Sequence, residues 1–131
     1  MSFKNDIQVC ILFHNKVEQT IEAIESLKSS QIQILILNNH SSVNQSLSLN
    51  KYISNHPNIQ IFNSDSNLGV SKGRNFLVKK SKSPWLLFID NDIRVNTINW
   101  LDIIRKEIQL NPRIEVFVPK LFNKHENRYS R

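Results

Sequence analysis

Asp90 and Asp92 stand one residue apart at the end of the apolar run Trp85-Leu86-Leu87-Phe88-Ile89. Their carboxylates are hard anionic oxygens, the donors that Mg²⁺ or Mn²⁺ prefers, and such ions complete their shells with water and substrate phosphates. Open α/β sheets bind ligands at the carboxyl ends of their strands, so a buried strand ending in this pair predicts a divalent-cation and phosphate site. The same Asp-Asn-Asp can also be turn punctuation, because Asp and Asn bond their own backbone at strand exits. Spacing alone leaves both readings open.

The elements that must position these acids alternate along the chain. Residues 7 to 13 are an apolar run rich in branched side chains, suited to a strand covered on both faces. Residues 16 to 29 repeat apolar positions at Val17, Ile21, Ile24 and Leu27, a helical stripe. A second strand is expected over 32 to 37, a helix over 44 to 54 stopped by His56-Pro57-Asn58, and a short strand over 59 to 62. The spacing of Val70, Gly73 and Leu77 predicts a helix over 70 to 81, followed by the strand 85 to 89. Ile98, Leu101, Ile104 and Ile108 mark a helix over 97 to 110, and a fifth strand is expected over 114 to 118. Such alternation implies right-handed crossovers and a parallel sheet with helices on both faces. In that topology His14/Asn15, Asn38/Asn39 and Asp90/Asp92 emerge on one sheet edge.

Four segments then carry a family resemblance. Asn67-Leu68-Gly69-Val70-Ser71-Lys72-Gly73-Arg74-Asn75 precedes a helix and the strand ending in Asp90-Asn91-Asp92. This resembles the Asn-x-Gly-x-x-x-Ala-Arg-Asn segment and Asp-x-Asp strand of family 2 glycosyltransferases, with Gly73 in the alanine position. Ile11-Leu12-Phe13-His14-Asn15 is similar to the family's first strand and its Pro-Thr-Tyr-Asn-like turn. Ile34 to Ser42 is similar to its second strand, which ends in Asp-Asp-Gly-Ser-Thr, and Val116 to Asn123 to the Gly-Pro-Lys-Leu-Tyr-Asn segment of rhamnosyltransferase-like members.

The resemblance implies a Rossmann-like GT-A three-layer α/β sandwich, with residues 1 to 131 as one partial, nucleotide-diphospho-sugar-binding domain, incomplete at its C-terminal side. It implies Mg²⁺ or Mn²⁺ on Asp90 and Asp92, and a UDP- or dTDP-type donor sugar contacted by His14, Asn15, Asn38, Asn39, Arg74 and Asp90. It also implies a glycan or lipid-linked acceptor, as in polysaccharide biosynthesis. Each residue has a plainer reading beside it. Arg74 can be a helix-surface arginine, His14 a hydrogen-bonded strand-end histidine, and Asn38 to Ser42 an Asx-rich turn. Where the family has acids after strand two this chain has amides, its glycine is His40, and Leu12 and Phe13 replace the usual Pro and Thr. An amide oxygen still accepts a base imide hydrogen bond but without charge assistance, which weakens binding by roughly tenfold.

No catalytic residue is assigned. In inverting members the base lies well beyond the Asp-x-Asp, and Glu107, Glu115 and Glu126 fall in no family base motif. The expectation is therefore a truncated enzyme whose missing C-terminal half completes it, inactive alone and prone to self-association. The alternative is a noncatalytic nucleotide-sugar-binding or regulatory remnant.

Composition is that of a globular domain, 40% hydrophobic and 21% charged over 131 residues. No apolar stretch approaches the ~18 residues of a membrane span and no signal peptide is evident, so a cytoplasmic protein, with the option of peripheral membrane attachment, is expected. Cys10 is the one cysteine and lies in an apolar run, which excludes a disulfide framework. His40, His56 and His125 lack zinc-ligand spacing, and Ser41 and Ser42 lack a His/Asp relay. The net charge of +6 permits an anionic partner. Lys79, Lys80 and Lys82 either complement a helix C-terminus or, with the tail's Lys120, Lys124, Arg128 and Arg131, attract an acidic membrane surface. Nucleic acid is disfavoured, because no recognition module or aromatic-interleaved basic stripe is present.

Overall fold

In the computed structural model, which describes residues 6–27 and 32–129, the branched run Ile7–Phe13 forms the first strand, β1. It is followed by α1 (Val17–Ser26), β2 (Gln33–Asn38), α2 (Val43–Ile53), β3 (Ile59–Asn63), α3 (Gly69–Lys80) and β4 (Trp85–Asp90). The four strands make one parallel sheet in the order β3-β2-β1-β4. The order reverses beside β1, because the chain steps outward through β2 and β3 and then returns to β1's other side as β4. That reversal is the topological switch point at which such sheets open a ligand crevice.

Burial follows position in the sheet. The central strands β1 and β2 are buried on both faces, through Val9, Cys10, Ile11 and Phe13 and through Ile34 to Leu37. Cys10, Leu35, Leu37 and Leu77 of α3 pack together, with Leu12, Phe62, Leu68, Phe76 and Leu86 around them. Burial pushes the Cys10 thiol up to about 11, as befits an inert core sulfur. The one polar residue inside β1, Gln8, has its amide satisfied: it donates to Gln33 at 2.7 Å and accepts from the Lys82 N–H at 2.9 Å and from the Ser81 hydroxyl. β3 and β4 are the edges of this sheet, and on β4 Phe88 is exposed.

Two departures from the family pattern prove to be one contact. A methyl group built on Gly73 would stand 2.7 Å from Leu12 Cδ2 and 3.2 Å from Leu12 Cδ1. Leu12 therefore fills the space that an alanine side chain at position 73 would need, and the two residues substitute for each other's volume. Gly73→Ala should cost about 1 kcal/mol here, because overpacking outweighs the helix propensity gained. In a Leu12→Ala background the same change should stabilise by about 1 kcal/mol, the propensity gain alone. A double-mutant cycle by urea unfolding measures this coupling, and additive effects would show that the two side chains do not share the space.

The chain divides at Asn96/Thr97 into two compact units. From Thr97 onward it holds α4 (Trp100–Leu110) and a small antiparallel pair, β5 (Phe122–Asn123) with β6 (Arg128–Tyr129), closed by an edge-to-face contact of Phe122 on Tyr129 at 5.1 Å. The helix begins three residues later than its apolar stripe suggests, because Asn99 takes φ 58° and caps it from the left-handed region that asparagine tolerates. The strand expected over 114 to 118 is absent. Ile114, Val116 and Val118 alternate as a strand should, yet all three are exposed and the segment joins no ladder. Alternation supplies propensity but a strand exists only with a partner, and Pro112 and Pro119 remove backbone donors on either side. Residues 28 and 29 of the first expected helix, and Arg131 of the basic tail, lie outside the described residues.

Candidate functional site

The parallel register sets the strand ends in one row: Phe13 lies opposite Asn38, Asn38 opposite Asn63, and Leu12 opposite Asp90. The strand ends at that edge and the loops leaving them carry every residue that the sequence points to, apart from Arg74 on α3. Arg74 and Asp90 meet directly, Arg74 Nη2 donating to Asp90 Oδ1 at 3.0 Å. The guanidinium also lies 5.7 Å from the Phe88 ring centroid, so an aromatic face and a carboxylate together aim it at the strand end. With side chains 42% and 67% exposed, this ion pair contributes at most about 1 kcal/mol. Its consequence is orientation, and an incoming anion can recruit Arg74 at little cost.

Asn91 points the other way from its flanking acids. Its amide donates to Thr20 Oγ1 at 3.2 Å and to the Asn15 carbonyl at 3.4 Å, while Asp90 and Asp92 are both exposed. The tether on the middle residue thus presents two solvent-facing carboxylates at i and i+2. Two hard oxygens with open surroundings fit Mg²⁺ or Mn²⁺, which fill the other positions with water and phosphate. Among the described residues no group of three His, Cys, Asp or Glu side chains comes together, so these acids would be the protein's share of the shell.

Asn38 and Asn39 are buried, and their amides are committed to the protein. Asn38 Oδ1 accepts from the Ser41 N–H at 3.1 Å, and its Nδ2 donates to Ser46 Oγ at 2.9 Å and Asn63 Oδ1 at 3.0 Å. Asn39 Oδ1 accepts from the Leu68 N–H at 2.8 Å, and its Nδ2 donates to Asn67 Oδ1 at 3.0 Å. Asn67 Oδ1 in turn accepts from the Gly69 N–H at 2.8 Å. Leu68, at the N-cap, makes no side-chain capping bond, so the amides of Asn39 and Asn67 serve as the cap of α3, the helix that carries Arg74.

Asn15 takes φ 58° and Lys16 φ 57°, and His40 takes φ 64° where the resembled family has glycine. Asn15 locks the facing loops, its N–H donating to Ser41 Oγ at 2.8 Å and its Oδ1 accepting from the Ser42 N–H at 2.9 Å. His14 is exposed, with Nδ1 2.9 Å from the Asn39 carbonyl oxygen. The structural roles of Asn67, Asn91, Ser41 and Ser46 escaped the sequence reading of the site. Asn67, Asn91 and Ser41 lie inside segments that it singled out, but nothing there distinguished them from ordinary turn residues, and Ser46 lies outside those segments. Lys79 and Lys80 stand in the last turn of α3, with Lys80 Nζ 5.4 Å from the Phe62 ring and 5.5 Å from the Phe76 ring. Among the described residues no helix is long and apolar enough to cross a membrane.

Known proteins share this fold. The model of the family described as "Glycosyl transferase family 2" matches residues 8–131. An uncharacterised protein of Haemophilus influenzae is 27% identical over 103 residues, covering 75% of this chain and 56% of that protein. The minor teichoic acid biosynthesis protein GgaB of Bacillus subtilis is 28% identical over 120 residues, covering 83% of this chain and 13% of its own length. Among solved structures, the mannosyltransferase PcManGT from Pyrobaculum calidifontis, in complex with GDP-Man and Mn²⁺, superposes with a TM-score of 0.71 at 11% identity, over 79% of this chain and 32% of that one. TarS 1-349 of S. aureus, in complex with UDP, superposes with a TM-score of 0.70 at 20% identity, over 82% and 33%. At such identities the likeness establishes a GT-A glycosyltransferase fold. The chain spans about half the length of one curated relative, about an eighth of the other, and about a third of these solved chains.

Proposed function

The chain belongs to glycosyl transferase family 2, and from that premise we propose that it forms the donor-binding part of an enzyme that moves a sugar from a nucleotide diphosphate to an acceptor. The observation that carries this reading is the Arg74–Asp90 pair at the end of β4, beside the solvent-facing Asp92 and in register with the ends of β1 and β2. His14, Asn15, Asn38 and Asn39 form the base end of the site, Arg74 and Asp90 the ribose and phosphate end, and Asp90 with Asp92 the cation end. When bound there, Mg²⁺ or Mn²⁺ would supply positive charge against the departing diphosphate.

The chain's own residues do three things toward that reaction. The amides of Asn38 and Asn39 hold the floor of the site rigid, so that its geometry is set before the donor arrives. Arg74, preorganised by Phe88 and Asp90, offers a planar fork suited to phosphate or ribose oxygens. Asp90 and Asp92 bring two negative charges to one place, which favours the donor as its cation complex over the bare diphosphate. A UDP- or dTDP-type sugar as donor, and a glycan or lipid-linked acceptor of polysaccharide biosynthesis, complete the proposal. The teichoic acid role named for the Bacillus subtilis relative supports that acceptor class.

Titration calorimetry of the chain with UDP and dTDP tests it. Binding is expected with Mn²⁺ present, strengthened at least about tenfold over metal-free buffer, which is about 1.4 kcal/mol. No binding of either nucleotide at millimolar concentration would overturn the donor-site reading.

A further inference from the structure

His14 follows the last residue of β1, on the edge proposed above to hold the base, and its tautomer is set by what it touches. Nδ1 lies 2.9 Å from the Asn39 carbonyl oxygen, which can only accept, so Nδ1 carries the hydrogen. In the neutral ring Nε2 is then a bare acceptor on an exposed side chain, with no partner among the described residues. The amides that could otherwise read a base are committed elsewhere. Asn38 Oδ1 and Asn39 Oδ1 already accept from the backbone N–H groups of Ser41 and Leu68, and both Nδ2 groups donate within the protein. Both residues are also buried.

We infer that His14 Nε2 is the group that selects the nucleobase, accepting a hydrogen bond from the ring N–H of an imide-type base. This rests on the donor-binding reading above and deepens it. Uracil and thymine carry that hydrogen on N3 and guanine on N1, while cytosine and adenine present a bare ring nitrogen at the same place. A bare nitrogen facing Nε2 sets lone pair against lone pair, and an acceptor desolvated by the bound base but left unpaired costs more than a matched bond gains. Selection therefore follows the ring hydrogen and not ring size.

Calorimetry with Mn²⁺ on two size-matched pairs, UDP against CDP and GDP against ADP, reads this directly. The pair whose ring size fits should favour its N–H-bearing member about tenfold or more. His14→Asn keeps a donor near the Nδ1 position but has nothing at Nε2, so the preference should collapse to within about twofold while thermal melting stays unchanged. His14→Gln extends an amide oxygen toward the Nε2 position and should restore part of the preference. A wild-type protein that binds without discrimination overturns the inference, as does a preference that survives His14→Asn. Equal weakening of both members of a pair by His14→Asn does so too, because it would assign the ring a purely structural role. If the wild type binds no nucleotide at all, the donor-site reading falls with it.

Discussion

Replacing Asp90 and Asp92 together by alanine should erase the effect of Mn²⁺ on nucleoside diphosphate binding, and the two arms of the measurement should move in opposite directions. With Mn²⁺ present, affinity should fall at least about tenfold, because the ion loses the paired carboxylates presented to it at this edge. Without metal, affinity should rise, because two like charges no longer repel the diphosphate and Arg74 is released from Asp90 Oδ1 to pair with phosphate. The lost ion pair is exposed and costs at most about 1 kcal/mol of stability, so the variant should remain folded. Calorimetry at matched ionic strength, with and without Mn²⁺, gives both arms. Retention of the wild-type metal dependence would move the cation to other ligands. A drop in metal-free affinity would show that the acids help to build the nucleotide pocket itself.

The sheet was largely legible in the sequence because its signals are local. Strands β1, β2 and β4 are apolar runs, α1 and α3 are stripes, and alternation forces parallel pairing, which brings Phe13, Asn38 and Asp90 to one edge. The contact of Arg74 with Asp90 was only half legible: the two motifs are visible, yet their meeting depends on how far α3 turns before β4 begins. The exchange of volume between Leu12 and Gly73 could not be read at all, since no local pattern links positions so far apart. The segment over 114 to 118 misled for the opposite reason. Its alternation is genuine, but pairing is a property of a ladder and not of a sequence.

The roles of Asn38 and Asn39 were hidden by an ambiguity of chemistry. An amide at a strand exit can face a ligand or its own loop, and composition does not distinguish the two. The backbone decides here, because N–H groups of Ser41, Leu68 and Gly69 can only donate and so fix which way each amide points. The departures from the family's acidic pattern are thus coupled. Once the end of β3 and the loop before α3 turn acceptors such as Asn63 Oδ1 and Asn67 Oδ1 toward the buried amides, the residues at the end of β2 must be able to donate.

Asn39→Asp should consequently destabilise the protein by about 2 kcal/mol at neutral pH, although it restores the carboxylate that the resembled family carries. One carboxylate oxygen can keep the Leu68 N–H, but the other then faces Asn67 Oδ1, an acceptor 3.0 Å away in the wild type. Turning the Asn67 amide relieves that clash but gives up its bond to the exposed Gly69 N–H, and leaving it in place keeps an unpaired carboxylate oxygen at a buried position, at about 1–3 kcal/mol. The sign with pH is distinctive. In the folded variant the acid should hold its proton more tightly than the ~3.9 of an unfolded aspartate, because only the protonated form can donate to Asn67. Between those two pKa values the native state binds more protons than the unfolded state, so stability falls as pH rises through that window. The variant should therefore approach wild-type stability below about pH 4 and lose it above. Asn39→Ala, which removes the acceptor of the Leu68 N–H outright, should be destabilised by a similar amount without this pH dependence. Urea unfolding of the three proteins across acidic to neutral pH separates the cases. A stability difference between wild type and Asn39→Asp that is flat with pH would mean that Asn67 is not where the carboxylate meets its penalty, and that the cap of α3 does not depend on a donor at the end of β2.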